Sequence, residues 1–119
     1  MMTTDHRLLS IHRLKDSFEV KQVRNLGQRH FLSPLVVYVQ PNSLGHPRLG
    51  FIVTRKAGSS VTRNKIKRQV REFFRCHKPE LGSCDYLFVA ARPLGIKSRS
   101  FWRIWKKKAE TWALNQKKS

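Results

Sequence analysis

Residues 61–78 constrain the fold most, because they carry one apolar stripe at helical spacing. When the segment is drawn at about 100° per residue, the apolar side chains and one histidine fall on a single side. These residues are Ile66, Val70, Phe73, Phe74 and His77, and Pro79 follows them. The pattern predicts an amphipathic helix, closed by the proline, that packs one side against a core and leaves the remainder in water.

The remaining surface of this predicted helix is dominated by cations. Its basic and amide residues include Arg63, Asn64, Lys65, Lys67, Arg68, Arg71 and Arg75. Like charges four residues apart repel each other, and cations in the first turn oppose the helix dipole. A multivalent anion relieves both penalties, and arginine can hold phosphate oxygens in a bidentate manner. The face therefore predicts a phosphate-bearing partner, with a merely solvated basic face as the alternative. Arg48, Arg55 and Lys56 would extend this patch if their strand ends beside the helix start.

The composition supports the same interpretation. The chain has 119 residues with 25 Lys+Arg and 7 Asp+Glu, a formal net charge of +18, yet its 7 Phe and 3 Trp provide for a core. One domain over residues 1–119 is expected at this length. The electrostatic field of so large a positive charge favours a polyanion as partner. Nucleic acid is the commonest such partner, with an anionic membrane or an acidic protein as alternatives. Cys76 and Cys84 do not suggest a disulfide framework, and no secretory signal or bilayer-length apolar run is visible, so a cytoplasmic location is expected.

The order of predicted elements indicates an α+β fold, with a single mixed sheet packed against helices. Helices are expected at residues 14–26, 61–78 and 101–115, strands at 35–39, 48–54 and 85–91, and loose tails at 1–10 and 116–119. The second strand is expected to pair antiparallel with the first across the turn at residues 42–47. The last helix is expected to present Phe101, Ile104, Trp105, Lys108 and Trp112 on one face. The tryptophans are more simply core residues than base-stacking ones.

Two stretches together resemble the protein subunit of bacterial ribonuclease P. One runs from Arg48 through Gly50 to Arg55 and Lys56, and the other reads Arg63-Asn64-Lys65-Ile66-Lys67-Arg68, with Arg71-Glu72 and Phe74-Arg75 beyond it. The resemblance extends in order and spacing from Arg13 to about Pro93. Lys65 stands where the family has arginine, which keeps the charge but loses a bidentate donor.

The resemblance implies an α-β-β-β-α-β-α fold, hence a fourth strand, expected near residues 30–32, and a left-handed crossover into the last strand. It implies that the chain binds a catalytic RNA that cuts the 5′ leader from precursor tRNA, with Mg²⁺ held mainly by the RNA. The residues it assigns to RNA binding are Arg63, Asn64, Lys65, Lys67, Arg68, Arg71, Arg55 and Lys56. No membrane and no obligatory protein partner are expected.

A cleft between the first helix and the sheet is expected, by the same resemblance, to hold the single-stranded leader. Val36 and Tyr38 would form its floor, with Lys56 nearby. The family's first helix carries a phenylalanine where this chain has Val20, and Phe18 lies two residues earlier. Either Phe18 turns into the cleft or it is a plain core residue, and the sequence leaves both open.

The residue pattern gives no sign of catalysis by the polypeptide. The seven carboxylates and five histidines are dispersed, and Glu72 is expected to pair with Arg68 within the helix. Cys76, His77 and Cys84 do not have zinc spacing. The alternatives are a ribosomal or general RNA-binding protein without a role in tRNA processing, an autonomous nuclease, and a DNA-binding helix protein.

Overall fold

A computed structural model describes residues 12–93 and 100–118. Its described part contains three helices, α1 (Ser17–Leu26), α2 (Ser60–Leu81) and α3 (Phe101–Lys118). It also contains four strands, β1 (Gln28–Leu32), β2 (Leu35–Pro41), β3 (Arg48–Val53) and β4 (Cys84–Ala90). The α+β class with one four-stranded mixed sheet and three helices is therefore confirmed, and the extra strand implied by the resemblance is β1.

The sheet has the order β1-β2-β4-β3, and this corrects the predicted strand pairing. β3 does not pair with β2; it lies parallel to β4, which is antiparallel to β2 on its other side. β4 takes the inner position because it is the strand that is most buried on both faces, from Asp85 to Phe88. α2 crosses from β3 to β4, as parallel neighbours require. The handedness of this crossover stays a prediction of the resemblance.

The main core lies between the sheet and helices α2 and α3. The predicted stripe of α2 is buried at Ile66, Val70, Phe73 and Phe74, and the ring of His77 stacks on Phe73. The predicted face of α3 is wrong in part, since Ile104 is 55% exposed and Lys108 is also exposed. The stripe that packs inward is instead Trp102, Trp105, Ala109 and Ala113. Trp105 also donates its Nε1–H to the carbonyl of Leu32 at 3.1 Å, so the tryptophans serve the core.

A smaller cluster lies on the opposite face of the sheet, where α1 packs. Leu14, Val23 and Leu87 form it. α1 begins at Ser17 rather than at residue 14, because the Asp16 carboxylate accepts from the amides of Phe18 and Glu19 and caps the helix. Leu14 is buried before the helix starts, and its amide donates to the Leu49 carbonyl at 2.8 Å.

The C-terminal ends predicted for helices α2 and α3 differ from those in the structure. Pro79 does not close α2, which continues to Leu81 with an irregular backbone at His77 (φ −118°, ψ 17°). Proline cannot donate to the helix, and the irregular turn accommodates its ring. α3 continues to Lys118 where a loose tail was predicted from residue 116. The predicted tail at residues 1–10 lies outside the described residues.

Candidate nucleic-acid interface

A short turn brings two predicted cations to the start of the basic helix. β3 ends at Val53, and a 3-10 turn, Arg55–Ala57, leads directly into α2. Arg55 and Lys56 are exposed in this turn. Gly58 follows with φ +147°, and a Cβ there would lie 2.9 Å from the Thr62 side chain, so glycine is required for this close turn. Ser59 then caps α2 by accepting from the Thr62 amide.

The basic face of α2, which comprises Arg63, Asn64, Lys65, Lys67, Arg68 and Arg71, points away from the core. Asn64, Lys65, Arg68 and Arg71 are exposed, whereas Arg63 and Lys67 are half-buried. Arg63 donates its Nε–H to the Gly58 carbonyl at 3.3 Å. Within residues 12–93 and 100–118, no cation of this face pairs with a carboxylate. The charges are therefore available to an external anion.

The carboxylate within the helix has a different partner from the one predicted. Glu72 pairs with Arg75, three residues later, and not with Arg68. The hydrogen bond between them raises the pKa of Arg75 and lowers the pKa of Glu72. Positions three apart are neighbours on a helix, as are positions four apart, and spacing alone does not choose between them. Arg75 is thus neutralised, while Arg68 stays free.

Arg48 lies in an internal network and does not extend the patch as predicted. Its Nε–H and Nη2–H both donate to the Asp85 carboxylate at 2.8 Å, and it also contacts Glu19 of α1 at 3.2 Å. Asp85 is only 5% exposed, and Asn42 donates to it as well. The bond to Asp85 raises the pKa of Arg48. The arginine consequently fastens α1 to the sheet instead of facing a partner.

A cleft of about 420 Å³ lies at the free edge of β3 and gathers four cations. Arg13 and Lys15 line it from the segment before α1, and Lys67 and Arg71 line it from α2. The Arg71 guanidinium lies 5.5 Å from the centre of the Phe51 ring. Arg13 and Lys15 are not among the site residues predicted from the sequence. Their signal was the alternation around Leu14, which turns inward and leaves both neighbours exposed.

The residues predicted for the leader cleft do not share one pocket, although Val20, Val36 and Tyr38 lie on the α1 side of the sheet. Val36 and Tyr38 line a second cleft, of about 620 Å³. Val20 lines the β3-edge cleft instead, and it packs against the small cluster. Phe18 is 68% exposed, so it is not a core residue, and it does not line either cleft. Lys56 lies beyond the end of β3, in the turn before α2.

The comparison with protein families decides the assignment. The family model described as Ribonuclease P matches residues 8–114. The chain belongs to the ribonuclease P protein family. This match confirms the family resemblance found in the sequence, and nothing in the comparisons supports the ribosomal alternative.

Individual relatives agree with this assignment to the ribonuclease P family. The chain is 45% identical to the ribonuclease P protein component of Methylococcus capsulatus over 69% of its own length and 65% of that protein, so it spans just under two thirds of that relative. It is 36% identical to the component of Halalkalibacterium halodurans, over 81% of the chain and 87% of that protein. The structure of the Staphylococcus aureus RNase P protein has a TM-score of 0.73 at 30% identity, covering 84% of this chain and 90% of that one.

The described residues of this family member contain neither a membrane-spanning helix nor a cluster of metal-ligating side chains. None of the helices there is both long and apolar enough to cross a membrane. No three His, Cys, Asp or Glu side chains gather there as a protein-borne metal site requires.

Proposed function

We propose that this chain is the protein subunit of a ribonuclease P ribonucleoprotein, in which it binds the catalytic RNA and the 5′ leader of precursor tRNA and promotes removal of the leader. The observation that carries the proposal is the basic face of α2, continued by Arg55 and Lys56. Its cations have no carboxylate partner within the described residues. A folded RNA offers a polyanion on which such a face can lie.

The proposed mechanism is electrostatic and positional. Cations that replace condensed counterions on RNA phosphates lower the repulsion between RNA elements. Divalent ions and substrate can then be held at a lower Mg²⁺ concentration. The RNA supplies the phosphate oxygens that Mg²⁺ prefers and performs the phosphodiester hydrolysis. The chain itself binds the catalytic RNA and orients the precursor tRNA.

The β3-edge cleft supports docking by more than one segment of the chain. Arg13 and Lys15 approach Lys67 and Arg71 from a different segment, so a phosphate there would contact cations from both. A site of this kind depends on the packing of Leu14 beneath it, since Leu14 is buried and bonded to Leu49. The site therefore forms only in the folded protein, and an isolated basic helix would not provide it.

The leader is proposed to lie on the α1 side of the sheet. Val36 and Tyr38 would provide an apolar floor, Val20 and Phe18 lie along α1, and Lys56, in the turn before α2, would bind a phosphate. Unpaired bases bind such surfaces by stacking and apolar contact. Contacts to a leader distinguish precursor from mature tRNA, because mature tRNA lacks that segment. The proposed partners are accordingly the catalytic RNA and precursor tRNA, in the cytoplasm, with no membrane and no obligatory protein partner.

The test is cleavage of precursor tRNA by the catalytic RNA at low Mg²⁺, with and without the full chain. Stimulation by the chain is expected, and absence of stimulation would overturn the proposal. A control reaction contains the chain and precursor tRNA without catalytic RNA. Cleavage in that control would identify an autonomous nuclease, the alternative that the sequence analysis left open.

A further inference from the structure

The strand register aligns four apolar side chains in a row across the sheet. Phe31 pairs with Val36, Val36 pairs with Val89, and Val89 pairs with Ile52. Residues directly opposite each other share a face, so the whole row lies on the α1 side. With strands about 4.8 Å apart, the row spans ~14 Å. Its β3 end lies beside the turn that carries Arg55 and Lys56, where the Thr54 amide donates to the Ala90 carbonyl at 3.0 Å.

No described helix packs over the β1 end of this row. α1 packs over the other end of the face, where Val23 meets Leu14 and Leu87. Phe31, by contrast, is 68% exposed although it sits on a paired strand. An exposed aromatic ring beside half-buried Val36 and Val89 is unusual for a surface that only faces water, and it offers a flat apolar platform.

The surroundings of Phe31 are cationic. Arg29 lies two residues earlier on the same face, opposite Tyr38, and Arg92 follows the end of β4. Both arginines line the 620 Å³ cleft together with Phe31, and no Asp or Glu lines it among the residues that the structure describes. Neither arginine has an ion-pair partner in the part of the chain that the structure describes. A platform between two free guanidinium groups matches an unpaired nucleotide, whose base stacks while the flanking phosphates are bound.

We propose that Phe31 stacks on an unpaired base of the 5′ leader, with Arg29 and Arg92 binding the adjacent phosphates. This inference rests on the proposed function. It extends the leader track beyond Val36 and Tyr38 to the β1 edge of the sheet. It also places a second aromatic ring on the track in addition to that of Tyr38, whereas α1 presents Val20, which has no ring, to the neighbouring cleft. The cationic rim favours RNA over an apolar protein partner as the occupant.

The test uses the reconstituted ribonucleoprotein and measures its affinity for precursor tRNA with a long leader and with a leader of a single nucleotide. Phe31→Ala is expected to weaken binding of the long-leader precursor by about 5- to 150-fold, as loss of one stacked base does. Phe31→Tyr is expected to bind like the wild type. Binding of the short-leader precursor is expected to be unchanged in both variants. Ile104→Ala, an exposed apolar residue on α3, is the matched control and is expected to have no effect with either substrate.

A second measurement places the ring next to the base. A 2-aminopurine in the leader is expected to lose fluorescence when the wild-type complex binds, and Phe31→Ala is expected to restore that fluorescence. The inference would be overturned if wild type and Phe31→Ala bound the long-leader precursor with equal affinity. It would also be overturned if Phe31→Ala lost the same affinity for the long-leader and the short-leader precursor. Failure of the wild-type chain to bind the catalytic RNA would instead overturn the proposed function, so the two failures are distinguishable.

Discussion

The pair between Arg48 and Asp85 gives a prediction that separates a structural role from an RNA-binding one. Arg48→Met removes the two hydrogen bonds to Asp85 and leaves that carboxylate with Asn42 as its side-chain donor. The side chains of Arg48 and Asp85 are only 16% and 7% exposed. Breaking a buried ion pair by removing one partner costs about 3–5 kcal/mol. Because Arg48 keeps some solvent contact, we expect the lower end, a loss of ~3 kcal/mol in the free energy of unfolding.

The assay is urea unfolding, supported by thermal unfolding, in which this loss corresponds to a fall of roughly 10 °C in Tm for a domain of this size. Glu19→Gln is the control, because it removes the charge of the other, more exposed partner of Arg48. The Glu19 side chain is 42% exposed. That change is expected to cost less than ~1 kcal/mol. In the double variant Arg48→Met with Asp85→Asn, the loss is expected to be smaller than the sum of the single losses.

The same variant also has an RNA readout. Under conditions where Arg48→Met is folded, the salt dependence of its binding to the catalytic RNA is expected to equal that of the wild type. A flatter salt dependence would show that Arg48 contacts phosphate, as the sequence analysis expected. A stability loss no larger than that of Glu19→Gln would refute the internal network as the role of this residue.

Two further predictions concern single titratable groups. Glu72→Gln frees Arg75, so binding to RNA is expected to tighten, and the slope of log affinity against log salt is expected to steepen by up to about 0.9; weaker binding in a salt titration would contradict the pairing. Burial lowers the pKa of His30, whose ring packs on Trp112. The unfolded chain therefore takes up a proton at this residue before the folded chain does, and stability is expected to fall as the pH drops below 6.5. His30→Gln is expected to reduce the fall in unfolding free energy between about pH 7 and about pH 5.5, and an unchanged fall would exclude His30 as its source.

The helices and most strands could be predicted because their periodicities are local. The apolar stripe of α2 and the apolar runs of β2 and β4 each predict which residues are buried, and the structure reproduces these elements. The pairing of β3 could not be predicted in the same way. Its partner β4 is more than thirty residues away, and the short turn at residues 42–47 favoured the wrong neighbour. β1 carries no apolar run, since only Leu32 is buried on it.

The same distinction between local patterns and long-range contacts applies to the candidate site. The basic face of α2 is a local pattern, and the structure places its predicted cations on one exposed side. The roles of Arg48 and Phe31 depend on contacts between distant segments, and they could not be read from spacing. A basic residue at a strand start gives the same sequence signal whether a buried Asp85 or a phosphate receives it.

The most direct test of the central claim is the salt dependence of binding between this chain and the catalytic RNA. With ~6 phosphates contacted, the slope of log affinity against log salt is expected to be about −4 to −5. Arg68→Ala and Arg71→Ala are each expected to flatten the slope by about one, and the double variant by about two. Unchanged slopes in all three variants would contradict docking by the basic face of α2.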